Sequence, residues 1–496
     1  MSSAQSLSHL LRDALRTHAQ AGLAALIGPF GEVSYAQLAR HVDAAAAAAY
    51  AWGLRRGDLV GVIARKAPES VATFFGLMQA SGCAGFMEPG LALDAIAERM
   101  QSVGMQRLVV ESADDGAQLQ KAIPGLQVIA LEAMTGEGAW IDEGLAPGDA
   151  AQILFTSGST GKSKGVLQPH RGLLANAHGV IAHTGITRND RLLHVMPVHH
   201  TNGVNNQLIA PLLCGAQVVL IERFRAEDCV QQLRDYAPTY LTGVPTMYAR
   251  MLPLLREGER FPSLRFLRCG SAPITPALQE QIEEAFGVEL LVSYGLSEAT
   301  CTSTMNPPGA RRIGSIGTVL EGQVVKLFKP GTEEVVTEGE GEIRISGDAL
   351  MLGYIGTEAA QPIEHGWLLT GDLGRFDAEG YLSITGRIKD VIIRGGENLS
   401  PALIEGELSR HSAVAECCVV GMPHHDLGEV PVAFVVLDPS APSVTSETLQ
   451  DLIREKLARA YVPAEVKFLT TLPVNGVGKV DRKALRRRFE AAPQAA

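Results

Sequence analysis

The sequence predicts an α/β protein: a large N-terminal domain of mostly parallel α/β sheet subdomains plus a small β unit, then a small mobile α+β C-terminal domain. Three observations predict it. Short apolar runs alternate with helical patterns through the first part of the chain, as strands of a parallel sheet joined by helices do. From residue 319 to about 384 the texture becomes apolar–polar alternation with Gly-rich turns, which fits antiparallel strands. Beyond Gly386-Arg387-Ile388-Lys389-Asp390 enough chain remains for a separate compact module.

Taken in order, Leu7, Leu10, Leu11, Ala14 and Leu15 recur at helical spacing and predict an opening amphipathic helix. The alanine-rich residues 43–54 predict a second helix, with Gly53 as its stop. Residues 59–63, 108–110, 128–131 and 153–155 read as strands, and 71–80 as a helix between them. Further strands are expected at 218–221, from 240, and at 264–267, with helices at 226–236 and 275–286. In the last module, strands are expected near 417–420 and 432–437. A helix there carries Leu449, Leu452, Ile453 and Leu457 on one face, and a basic helix starts near Arg482.

Lys and Arg total 43 against 54 Asp and Glu, a net charge of −11, which argues against nucleic acid or an anionic membrane as the main partner. Local lysines still allow small anionic ligands. None of the seven cysteines lies in a Cys-x-x-Cys, so reduced thiols in a cytoplasmic protein are expected and structural zinc is not. No signal-peptide layout opens the chain. Residues 192–221 carry no Lys, Arg, Asp or Glu, but their two prolines and polar side chains exclude a spanning helix.

One stretch organises the rest: Thr156-Ser157-Gly158-Ser159-Thr160-Gly161-Lys162-Ser163-Lys164-Gly165, after a short apolar strand. Its glycines allow tight turns and close backbone approach. Its hydroxyls, N–H groups and two lysines suit phosphate oxygens; a plain flexible loop is the bland alternative. A Walker-type loop is excluded, because the position five residues before Gly161 is Thr156 and not glycine. Six further segments follow in order: Pro197-Val198-His199-His200-Thr201-Asn202-Gly203; Gly270-Ser271-Ala272-Pro273; Ser293-Tyr294-Gly295-Leu296-Ser297-Glu298; Thr370-Gly371-Asp372; Arg394-Gly395-Gly396-Glu397; and Gly476-Val477-Gly478-Lys479. Taken singly, each also reads as a turn or a solvated surface.

Together these segments resemble the adenylate-forming superfamily of acyl-CoA synthetases, adenylation domains and luciferases, in its acid–CoA ligase branch, from about residue 30 to 485. The resemblance implies an ATP-dependent carboxylic acid–CoA ligase using ATP, Mg2+ and coenzyme A on a small to medium carboxylic acid. Acyl-CoA forms through an acyl-adenylate, and AMP and pyrophosphate are released. Residues 1–386 would bind ATP and the acyl group, 387–389 would be a hinge, and 390–496 would swing. Thr156, Ser157, Gly158, Ser159, Thr160 and Lys164 would cradle phosphate, with Glu298 and Thr156 on Mg2+. Gly270, Ser271, Ala272 and Pro273 would wall the adenine slot beside Ser293, Tyr294 and Gly295, and Ser297 stands where threonine is usual. Asp372 would take the ribose hydroxyls, Arg387 ribose and phosphate, and Lys389 the hinge. Gly395 and Gly396 would face the pantetheine arm, and Lys479 the reacting carboxylate and α-phosphate. His200 would flank the acyl pocket, while His199 stands where an aromatic is usual.

Two alternatives stay open. One is a dicarboxylate ligase of the malonate- or oxalate-activating kind, with Arg311 and Arg312 as candidates for the second carboxylate. The other hands the acyl group to a carrier protein. An amino-acid adenylation domain is not expected, since no acidic anchor lies near His199-His200. Fatty acid metabolism is the expected setting, and a homodimer is left open.

Overall fold

The computed structural model describes residues 5–141, 144–157, 163–356, 360–439, 441–474 and 480–490. Two largely parallel sheets form the main body. One has nine strands in the order Thr318–Val319, Thr304–Met305, Leu290–Tyr294, Phe266–Cys269, Tyr240–Gly243, Arg191–His194, Gln217–Leu220, Ala24–Gly28 and Gly31–Ser34. The other has seven: Gly353–Ile355, Ser163–Pro169, Ala150–Ser157, Cys83–Phe86, Leu59–Ile63, Arg107–Val110 and Gln127–Ala130. The main apolar cluster joins them. Leu26, Val218 and Tyr240 from one sheet and Val60, Val62 and Ala84 from the other pack with the helices Leu7–Gln20, Tyr35–Ala51, Pro68–Gln79 and His170–Thr184.

Local signals place most elements. The alanine-rich helix begins at Tyr35, ahead of the alanines themselves, because Ser34 and Gln37 close a reciprocal cap. Thr275 caps the helix Pro276–Phe286, and Gly287 ends it in the left-handed region. The strand expected at 264–267 is shifted to Phe266–Cys269, since the Leu264 N–H closes a turn onto the Phe261 carbonyl, 2.9 Å.

The texture change near residue 319 is an antiparallel sheet, in the order Val335–Val336, Val324–Phe328, Gly341–Ser346, Trp367–Phe376 and Ile363–Glu364, with Leu382–Arg387 also on Trp367–Phe376. The chain then changes sheets between Arg387 and Ile392, through the single turn Ile388–Asp390. The last sheet runs Glu397–Leu399, Ile392–Arg394, Gly428–Leu437, Val414–His424, with Glu465–Phe468 parallel to Gly428–Leu437. The helices Pro401–Leu408, Ser446–Lys456 and Arg482–Glu490 accompany it. All seven cysteines are free thiols. No helix among the described residues is long and apolar enough to cross a membrane.

Candidate active site

The stretch expected to bind phosphate is carried at its two ends by a pair of strands. Ala150–Ser157 and Ser163–Pro169 are antiparallel, with Thr156 opposite Lys164. Gly353–Ile355 adds to the outer strand, with Tyr354 opposite Val166. Gly165 keeps this pairing close: a Cβ there would lie 2.9 Å from the Ile355 side chain and 3.0 Å from that of Ile153, so both would have to shift. Lys164 Nζ lies 3.4 Å from the centre of the Tyr354 ring and 3.6 Å from Glu298 Oε1. The Tyr354 hydroxyl donates to the same Oε1 at 2.5 Å. Burial lowers the Lys164 pKa, and the Glu298 carboxylate offsets this only in part. Burial and Glu298 both raise the Tyr354 phenol, so it remains a donor. Thr156 Oγ1 is buried and has no partner.

Glu298 is positioned by what precedes it. The strand Leu290–Tyr294 ends at Gly295, where a Cβ would stand 1.7 Å from the Cys301 carbonyl oxygen, so only glycine fits. The turn Ser297–Ala299 follows. Its carbonyls are held from outside: the Gln168 amide donates to Ser297 O at 2.7 Å and Thr300 O at 3.2 Å, and the Asn205 amide donates to Thr300 O at 2.5 Å. At the other end of the motif, the Tyr294 hydroxyl donates to Asp372 Oδ2 at 2.7 Å. Arg387, cross-strand from Asp372, donates from Nε to Oδ1 at 2.7 Å. Asp372 is 2% exposed and Arg387 50%, so the carboxylate is buried and its cation half in solvent. Burial and the Asp372 charge push the Tyr294 phenol well up.

Gly270 packs against Ser293, whose hydroxyl donates to Cys269 O at 3.2 Å; a Cβ on Gly270 would meet Ser293 Oγ at 2.8 Å. Ser271 has φ +66°, a conformation costly for a side chain, at the foot of the expected adenine wall. In the histidine segment, Gly203 lies against Pro197, and a Cβ would come within 2.0 Å of its carbonyl oxygen. The His199 and His200 rings are 4.5 Å apart. Burial and the nearby His200, Arg99 and Lys66 charges lower His199 to about 4. The expected polar turn after His200 is instead the wide helix Asn202–Ile209, continued by Ala210–Cys214. Lys66 anchors its entry: Nζ donates to His194 O at 3.3 Å and Met196 O at 3.1 Å, and lies 3.0 Å from His194 Nδ1, while His194 Nε2 donates to Gly203 O at 2.8 Å.

The structure thus brings Lys164 to Glu298 and Tyr294 to Asp372 and Arg387. Gly395 and Gly396, at φ +57° and +87°, form a turn whose Gly395 N–H donates to Leu427 O at 2.7 Å, inside the last module. Lys389 is exposed in the turn Ile388–Asp390. Gly158, Ser159, Thr160 and Lys479, and the side chain of Ser157, lie outside the described residues. The expectation for Arg311 and Arg312 is corrected. Arg311 makes a bidentate pair with Glu283, at 2.7 and 2.5 Å, and Arg312 pairs with Asp377 and with Glu379 at 3.0 Å, so both charges are already matched. Tyr354, Gln168, Asn205 and Lys66 were not anticipated. Only Tyr354, in a lone Gly-Tyr pair, carried any signal, and it was too weak to stand out.

Residues 14–355 match the AMP-binding enzyme family and residues 403–479 the AMP-binding enzyme C-terminal domain. The sulfoacetate–CoA ligase of Cupriavidus necator is 37% identical over 347 residues, 68% of this chain and 67% of that protein. The crystal structure of ATP-bound MatB from Rhodopseudomonas palustris superposes with a TM-score of 0.88 at 28% identity, covering 98% of this chain and 99% of that one. MenE of Bacillus subtilis, an o-succinylbenzoate CoA synthetase solved with its acyl-adenylate OSB-AMP, gives 0.83 at 29% identity and covers both chains completely.

Proposed function

The chain belongs to the AMP-binding enzyme family, and we infer that it is an ATP-dependent acid–CoA ligase that makes acyl-CoA through an acyl-adenylate. ATP, Mg2+ and coenzyme A are its co-reactants, and the acid is small to medium in size. One observation carries the site reading. The segment from Tyr294 to Glu298 is tied at one end to Asp372 and Arg387 and at the other to Lys164 and Tyr354. Four residues of chain span at most about 14 Å, which suits the ribose and the phosphates of one nucleotide.

In the first half-reaction a carboxylate oxygen attacks the α-phosphorus, the bond to the β-phosphate oxygen breaks, and pyrophosphate leaves. Asp372 would accept the ribose hydroxyls through its two oxygens. Lys164 and the hairpin N–H groups would meet phosphate charge, and Lys479 would bridge carboxylate and α-phosphate. Thr156 and Glu298 fit a hard cation: the Thr156 hydroxyl is an unpartnered buried oxygen, and the contacts of Glu298 fall on Oε1. Mg2+ bound there supplies neutralising charge to the phosphate oxygens. His200 would flank the acyl chain. In the second half-reaction, residues 390–496 would rotate about Lys389, bringing Gly395 and Gly396 to the pantetheine arm. The CoA sulfur attacks the carbonyl carbon, its proton passes to solvent, and AMP leaves.

A cytoplasmic location is part of the same proposal, supported by the seven free thiols. The test is release of AMP and pyrophosphate from ATP, with and without CoA, across a carboxylic acid panel. AMP-forming, acid-dependent turnover to a thioester is expected. Release of ADP, or AMP release indifferent to acid, would refute the assignment.

A further inference from the structure

Arg268 is among the largest fully buried side chains of the described residues and is 1% exposed, yet two of its three guanidinium nitrogens, Nε and Nη2, reach no acceptor. The other buried ionic side chains among the described residues are matched. Arg344 pairs with Glu342 and Glu333, Asp190 with Arg265, and Asp372 with Arg387. Lys66 directs its ammonium at two carbonyls and an imidazole nitrogen. A buried guanidinium with two nitrogens lacking an acceptor is costly to a fold, and it calls for a reason.

Its surroundings point one way. Thr242 is in register with Arg268 on the neighbouring strand, and its buried Oγ1 has no partner. Tyr240, two residues earlier on the same face of that strand, has a buried hydroxyl that also lacks one. Guanidinium, phenol and threonine hydroxyl therefore place donors on one face of the sheet with nothing to accept from them. The guanidinium lies within electrostatic range of Cys301. The Asn206 amide from the helix after the histidines donates to Cys301 Sγ at 3.2 Å and to Thr302 Oγ1 at 3.0 Å. Cys301 thus links the surroundings of Arg268 to the helix that follows the histidines. Gly270, the start of the expected adenine wall, lies two residues further along the same strand face, about 7 Å away.

We propose that Arg268, with Tyr240 and Thr242, binds a second anionic group, a carboxylate or a sulfonate, at the far end of the acid that is activated. Arg268 is then a specificity-determining residue, and the acid is doubly charged. A planar fork of N–H donors suits either oxyanion, and the ligand supplies the acceptor that the protein does not. This rests on the ligase reading of the nucleotide site.

The test uses the full chain with ATP, Mg2+ and CoA, scored by AMP release. Succinate is compared with butyrate, and sulfoacetate with methylsulfonylacetate. The wild type is expected to favour the anion-ended member of at least one pair by on the order of 10²-fold in kcat/KM, and the pair that shows it identifies the anion. Arg268→Met should collapse that ratio by about the same factor, Arg268→Lys should keep part of it, and Tyr240→Phe should lower it several-fold. Arg268→Met should unfold at the same or a higher temperature than wild type, because it removes an unmatched buried charge. It should also lose the thermal stabilisation that the preferred acid gives the wild type. A wild type indifferent to the far group, or a preference that survives in Arg268→Met, overturns the proposal while leaving the ligase intact. Absence of AMP release with every acid overturns the ligase reading, and this proposal with it.

Discussion

At the scale of single residues, Glu298 shows how the proposed phosphate end would be preset. One of its oxygens accepts from Tyr354 and faces Lys164, so the carboxylate is oriented before any nucleotide arrives. Preorganisation of this kind lowers the reorganisation needed during reaction. Tyr354→Phe removes one hydrogen bond to a charged group and leaves the ring under Lys164. About a tenfold fall in kcat/KM for MgATP is expected, with little change in thermal midpoint. An unchanged kcat/KM would show that Tyr354 does not orient the carboxylate.

At the scale of elements, the helix His170–Thr184 carries a pH dependence. His170 opens it, fully buried, with both ring nitrogens unpartnered. Burial lowers its pKa to about 4, opposed in part by Asp149; a positive charge at a helix N-terminus is also disfavoured. An unfolded histidine titrates near 6.5. Between about 4 and 6.5 the unfolded chain therefore holds the proton and the folded chain does not. Stability rises with pH through that window and is lost as pH falls through it, by up to about 3 kcal/mol. Urea unfolding at pH 7 and pH 5 should show this loss in the wild type and a smaller one in His170→Phe. The glycine at the end of Leu290–Tyr294 is a second element-scale constraint. Gly295→Ala drives a methyl into the Cys301 carbonyl and should destabilise the protein by about 1–3 kcal/mol, read by denaturant titration.

At the scale of the whole molecule, the proposal requires the last module to serve two half-reactions. The chain leaves the antiparallel sheet at Arg387 and enters the last sheet at Ile392, with exposed Lys389 between. Across this junction the Ser400 hydroxyl donates to Thr385 O, and Gly386 packs on Ser400. Lys389→Pro would fix φ where rotation is needed. Pyrophosphate–ATP exchange should survive in this variant while thioester formation from synthetic acyl-AMP falls. Normal rates in both assays would rule out the hinge.

Much was legible without coordinates, and the reason is locality. Ser34 with Gln37, Thr275 with Pro276, and Gly287 set helix ends within a few residues, and the ordered motifs announced the family. Charge matching was not legible, because it is decided by strands and loops that meet from distant parts of the chain. Arg311 and Arg312 looked available until Glu283, Asp377 and Glu379 met them. Glu298 found Tyr354 only because Gly353–Ile355 joins the hairpin sheet. Arg268 is a plain letter in a strand, and only the tertiary packing reveals a buried guanidinium with two nitrogens left without an acceptor. Local hydrogen bonds and periodicity are written in neighbouring residues, whereas the partner of a buried charge, or its lack, belongs to the tertiary fold.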